Sequence, residues 1–190
     1  MRDGDRESYE KFFKNYGRGI KFALYSEYGM NSDLLGDLLL FYSAKEQKMI
    51  TLDEYLAKMP ANEDEDAKGT IFYAAGDSTE RLASMPIVQT VLSKGHDVLL
   101  CTMDVDEFCL QALHDYEGCD FKNVAGGDLG LDSEEEKIEA EEASKENLGL
   151  LAAMEEALED EVSKVIISTR LTDAPVCITA EGPVSLEMEK

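Results

Sequence analysis

The stretch that decides the fold is Thr70-Ile71-Phe72-Tyr73-Ala74-Ala75-Gly76-Asp77, a short apolar run of β-formers closed by a turn, which a helical pattern follows through Leu92. Gly95 ends that helix, Asp97-Val98-Leu99-Leu100-Cys101-Thr102 is a second buried run, and Asp104 with Glu107 three residues on opens another helix. Met103 and Phe108 are spaced for a hydrophobic staple across that start. A last run, Phe121-Lys122-Asn123-Val124, completes strand-helix-strand-helix-strand. That order implies parallel strands with helices on both faces, so residues 69–126 read as a small three-layer βαβαβ domain.

Upstream, Tyr9, Phe12, Phe13, Tyr16 and Ile20 recur at helical intervals, with Gly17 and Gly19 predicting a kink or break. Asn31-Ser32-Asp33 begins a second helix with Leu34, Leu35, Leu38, Leu39 and Tyr42 on one wide face. Thr51-Leu52-Asp53-Glu54 is a capping box for a third, with Ile50 and Tyr55 as its staple. Residues 1–60 therefore read as a three-helix segment, and the acidic stretch from Pro60 to Gly69 as a linker.

Downstream, eight acids and two lysines between Asp132 and Asn147 predict a solvated helix, amphipathic from Leu148 to Leu158. Lys164-Val165-Ile166-Ile167-Ser168 and Val176-Cys177-Ile178-Thr179 read as two strands around a turn at Thr172-Asp173-Ala174-Pro175. One helix and two strands make a thin core, so 127–190 is expected to be a long acidic helix leading into a truncated α+β domain. The whole is an α/β, α+β multi-block chain.

Composition bounds the chemistry. The chain has 190 residues, 44% hydrophobic, enough for a packed core, and 41 acids against 18 bases give a formal charge of −23. Such a field repels phosphate backbones and anionic lipid heads, which argues against nucleic-acid or membrane partners. No segment has the apolar length of a spanning helix or of a signal peptide, and a soluble, cytoplasmic protein is expected. Cys101, Cys109, Cys119 and Cys177 form no C-x-x-C pair and no ligand pattern with His96 or His114, so they are expected to be small apolar residues, with no metal site. Gly76-Asp77-Ser78-Thr79 sits where α/β domains bind phosphate, but it lacks a phosphate-loop pattern, and Asp77 supplies the helix cap itself. No Ser, Cys or His lies in a catalytic context, and with so many acids a close carboxylate pair identifies nothing.

In order and spacing, Tyr9-Glu10-Lys11-Phe12-Phe13, Leu38-Leu39-Leu40-Phe41-Tyr42-Ser43, Thr51-Leu52-Asp53-Glu54-Tyr55, Ile71-Phe72-Tyr73-Ala74-Ala75-Gly76, Val105-Asp106-Glu107-Phe108 and Arg170-Leu171-Thr172-Asp173-Ala174-Pro175 resemble the Hsp90 chaperone family, of the bacterial HtpG type. The resemblance implies the later part of the middle domain and the start of the C-terminal domain of an ATP-driven, dimeric chaperone. The family's ATP-binding and catalytic residues have no matching segment, so this chain is expected to hold no cofactor and to be no enzyme, with ATP and magnesium belonging to the longer parent. A homodimeric parent and a monomeric fragment follow. The resemblance further implies that non-native client proteins contact the helix matching 104–116, through Glu107, Phe108 and Gln111. Phe stands where Trp is common there, and Gln where some relatives have Asn. A co-chaperone platform without client contact is the competing reading; a nucleotide- or flavin-binding enzyme is a third, weakened by the missing phosphate motifs.

Overall fold

The computed structural model describes residues 4–60, 68–126, 129–158, 161–168, 176, 178 and 179. These fall into two compact units, one within Met1–Gly127 together with 178 and 179, the other within Asp128–Cys177.

The first unit is built on a six-stranded sheet of order β2-β1-β4-β3-β6-β5, with β1 Phe41–Ser43, β2 Lys48–Ile50, β3 Thr70–Ala75, β4 Leu99–Cys101, β5 Asp115–Tyr116 and β6 Cys119–Asn123. The central ladders β4/β3 and β3/β6 are parallel, with Tyr73 opposite Leu99 and Ile71 opposite Phe121, as strand-helix-strand-helix-strand requires. Antiparallel hairpins flank them on both sides, β1/β2 and β5/β6, and β1 pairs antiparallel with β4.

Ile71, Tyr73, Leu99 and Cys101 point to one face, where they join Leu24 of α1 (Arg6–Ser26) and Cys109, Leu110 and Leu113 of α6 (Asp106–Leu113) in the main core. Strand alternation sends Phe72, Ala74 and Leu100 to the other face, the side left for Leu82 of α4 (Thr79–Ala83) and Ile87, Val88 and Val91 of α5 (Pro86–Ser93). Tyr55 of α3 (Leu52–Leu56) belongs to the main core, and its hydroxyl donates to the Asp97 carbonyl at 2.7 Å and accepts the Phe72 N–H at 3.0 Å.

Four local expectations change. The second helix is only one turn, α2 Ser32–Leu35, with a 3₁₀ turn Gly36–Leu38, and Phe41-Tyr42-Ser43 is a strand. Three- and four-residue spacing of leucines cannot separate a helix from a turn running into a doubly buried strand; the partner β4 decides it. Residues 1–60 and 69–126 thus contribute strands to one sheet. The helix after Gly76 is two helices, because Pro86 stands at the first turn of α5 and holds Met85 extended at φ −64°, ψ 132°. Helix α1 runs unbroken through Gly17 and Gly19; a Cβ at Gly17 would lie 2.6 Å from the Phe13 ring, so this glycine makes room for a core side chain. Finally, α6 starts at Asp106 and not at Asp104, which pairs with Arg18 instead.

Other signals appear as read. Thr51 and Glu54 form a reciprocal capping box. Gly95, at φ +90°, closes α5 with its N–H on the Leu92 carbonyl and the His96 N–H on that of Val91, the paired bonds of a Schellman ending.

In the second unit, Ser133 and Glu136 form a capping box at the start of α7 (Glu134–Glu146), and α8 (Leu148–Ala157) follows at Asn147. Residues 164–168, expected as a strand, have no ladder among the described residues; a run of β-formers becomes a strand only beside a partner. The expected turn at 172–175 and Cys177 lie outside the described residues.

Candidate functional site

Helix α6 carries the three residues singled out above, and the fold treats each differently. Its N-terminus lacks a side-chain cap at Val105; Asp106 Oδ2 accepts the Met103 N–H at 3.0 Å instead. Asp106 Oδ1 lies 2.6 Å from Lys21 Nζ of α1, with both side chains almost wholly buried. The ammonium also sits 3.9 Å from the centroid of the Phe41 ring. A buried ion pair persists only with good geometry and additional partners, and this one bolts α6 onto α1.

Glu107 is 6% exposed, and its Oε1 accepts a hydrogen bond from Asn123 Nδ2 of β6 at 2.9 Å. The i, i+4 spacing to Gln111 is kept, but burial turns the carboxylate inward while Gln111 is exposed. Phe108 is half-buried, and its ring centroid lies 5.2 Å from that of Tyr25 on α1, tilted by 51°. Gln111 and His114 rim a cavity of about 270 Å³ whose other walls are Tyr73, Leu110 and Phe121. That volume suits one side chain better than a drug-sized ligand. His114 closes α6 at φ 61°, ψ −58°, a strained backbone for a residue with a side chain. Of the three residues, the fold brings Phe108 and Gln111 together at the surface and sets Glu107 behind them.

Tyr25 was not singled out in the sequence. It lies off the stripe formed by Tyr9, Phe13, Gly17, Lys21 and Leu24, so its place on a helix flank was readable, but its contact with Phe108 was not.

The remaining candidates make structural contacts. Ser78, not Asp77, caps α4 by accepting the Arg81 N–H, while Asp77 pairs with the Arg81 guanidinium at 3.0 Å. Cys101, Cys109 and Cys119 are buried free thiols, and burial pushes all three towards the protonated form, Cys109 up to about 12. The His96 ring stands edge-on to Phe72 at 5.4 Å. Among the described residues no group of three or more His, Cys, Asp or Glu side chains is placed to hold a metal ion, and no helix is long and apolar enough to cross a membrane.

Comparison with known proteins extends these observations to the whole chain. A family model described as Hsp90 protein matches residues 2–190. The chain is 49% identical over 190 residues to the chaperone protein HtpG of Clostridium perfringens, covering 100% of this chain and 29% of that one. It is 47% identical over 190 residues to HtpG of Oceanobacillus iheyensis, covering 100% and 29%, and 45% identical over 186 residues to that of Bacillus subtilis, covering 98% and 29%. It thus spans 29% of the length of these curated relatives. Among solved structures, the middle domain of a Plasmodium falciparum heat shock protein superposes with a TM-score of 0.55 at 27% identity, covering 66% of this chain and 50% of the other.

Proposed function

Because this chain belongs to the Hsp90 family, we propose that it is the part of a chaperone that holds non-native client protein, with α6 as a contact element. The observation that carries this reading is the half-buried Phe108 one helical turn from the exposed Gln111, which rims a cavity of side-chain size. A partly exposed aromatic contributes contact area at low entropic cost, a neighbouring amide adds adaptable hydrogen bonding, and a small cavity accepts an apolar side chain without demanding one sequence. That combination suits many clients loosely better than one partner tightly. Glu107 supports the helix from behind through Asn123. The charge of −23 draws clients rich in Lys and Arg and makes binding sensitive to salt.

In this reading the chain does not hydrolyse ATP by itself. ATP and magnesium act in the longer, homodimeric, cytoplasmic protein, to whose other parts this segment couples client binding. Phosphate release by the purified chain at a stoichiometric rate would contradict that part of the reading.

The test is fluorescence anisotropy of a labelled, permanently unfolded protein titrated with the chain and with Phe108→Ser, at low and high salt, after circular dichroism shows both equally folded. Saturable binding weakened about tenfold by the substitution is expected, as for a central aromatic contact. Binding indifferent to Phe108→Ser moves the client site off α6. No binding at all favours a co-chaperone platform.

A further inference from the structure

Phe108 is one edge of a larger surface. Tyr25, against which its ring rests, is 45% exposed; Phe22, one turn back on α1, is 50% exposed with its ring centroid 6.3 Å from that of Tyr25. The three rings run from α6 across to α1. Two clamps fix the spacing of these helices. The buried Lys21–Asp106 pair is one. The other is the close approach of Gly29, at φ +73°, to α6: a Cβ there would stand 2.5 Å from the Ala112 carbonyl oxygen. A shelf held this way pays little ordering entropy when a ligand lies on it.

We propose that the client surface is this two-helix aromatic shelf, Phe22 and Tyr25 of α1 with Phe108 of α6, and that it takes segments of non-native polypeptide in which Lys or Arg alternate with apolar residues. The proposal rests on the client-holding reading of α6 and adds a second helix and a client chemistry to it. Two observations choose the occupant. Ring faces exposed to solvent attract cations as well as apolar groups, and the cations nearest in sequence are already engaged, Arg18 with Asp104 at 2.6 Å and Lys21 with Asp106. The chain's large negative charge then favours a cationic segment from outside.

Helix α1 also carries its own control. Tyr16 is 63% exposed and its ring lies 5.1 Å from that of Phe12, but by the ~100° rotation per residue these two sit on the opposite flank of the buried stripe. General stickiness of exposed aromatics would engage both flanks; a specific shelf engages one.

The experiment uses the full chain and a fluorescein-labelled, random-coil peptide of Lys, Arg, Leu and Phe, with a second peptide carrying Glu at the basic positions. Anisotropy is read for Phe22→Ser, Phe108→Ser and Tyr16→Ser, each checked for an unchanged melting temperature. Photo-crosslinking from benzoylphenylalanine placed at position 22 or 16 gives a readout that does not depend on the stability of the serine variants. The shelf predicts that Phe22→Ser and Phe108→Ser each weaken the basic peptide about tenfold, that Tyr16→Ser leaves it within twofold, and that position 22 crosslinks while 16 does not. Loss with Phe108→Ser but not Phe22→Ser, and no crosslink from 22, overturns the shelf and leaves the α6 reading standing. If neither substitution matters, that reading falls and the shelf with it. Equal loss with Tyr16→Ser, or equal affinity for the Glu peptide, overturns the site or its client chemistry respectively.

Discussion

Helices α6 and α8 are eight and ten residues long, and their compositions invert their fates. The acid-bearing α6, Asp106-Glu107-Phe108-Cys109-Leu110-Gln111-Ala112-Leu113, buries both of its carboxylates with Cys109, Leu110 and Leu113. The leucine-rich α8, Leu148-Gly149-Leu150-Leu151-Ala152-Ala153-Met154-Glu155-Glu156-Ala157, buries no residue, and Leu148 and Leu150 stand more than half exposed. Burial therefore follows from partners and not from apolar content. Lys21 and Asn123 await the acids of α6, whereas α7 is held by signals within a few residues, the Ser133–Glu136 capping box and the Lys145–Glu141 pair. Structure held by distant partners fails cooperatively. Structure held by local signals fails locally.

The sharpest way to break this contrast is Lys21→Met. It leaves Asp106 charged and buried, and is expected to cost the first unit about 3–5 kcal/mol, read as a fall in the denaturant midpoint. Adding Asp106→Asn removes the orphaned charge while keeping an acceptor for the Met103 N–H, so the double variant should recover much of the loss. A neutral Lys21→Met would show that the pair contributes nothing to cohesion.

The opposite expectation holds for the other unit. Ser133→Ala removes a cap from an exposed helix end, and should cost α7 about 1 kcal/mol. Amide exchange over 134–146 should speed up with no shift in the main unfolding transition. A cooperative shift of that transition would contradict local control.

A smaller effect sharpens the first half of the comparison. His96 Nδ1 is buried without a hydrogen-bond partner, and burial, with Lys45 adding a lesser push, lowers the pKa of the ring below its ordinary 6.5. The unfolded chain then takes up this proton at higher pH than the folded one, so the neutral ring's contribution is complete above about 6.5 and is lost as pH falls through that value towards the folded pKa. His96→Gln should flatten the stability–pH curve below 6.5, measured by urea midpoints across that range. An unchanged slope would place the acid sensitivity elsewhere.

Much of this was legible in the residues. Short apolar runs of β-formers located β3, β4 and β6, and their alternation with helices implied the parallel centre of the sheet. The capping residues of α3 and the ending of α5 at Gly95 were equally readable, since each lies within a few residues of what it caps. The β1/β2 hairpin was not legible, because leucines at 34, 35, 38 and 39 fit a helix as well as a turn running into a buried strand. At the candidate site, family resemblance selected Glu107, Phe108 and Gln111 on α6, but which of them reach solvent was settled by Asn123 on β6 and Tyr25 on α1.

The sequence by itself determined the local signals: the capping box of α3, the glycine ending of α5, the strand runs and the net charge of −23. Only the tertiary structure decided which side of each element is inside. Lys21 and Asp106 lie 85 positions apart, and nothing in either neighbourhood marks a lysine for burial. A charge enters a core only when its counter-charge is already there, and that condition is set by the path of the backbone between them.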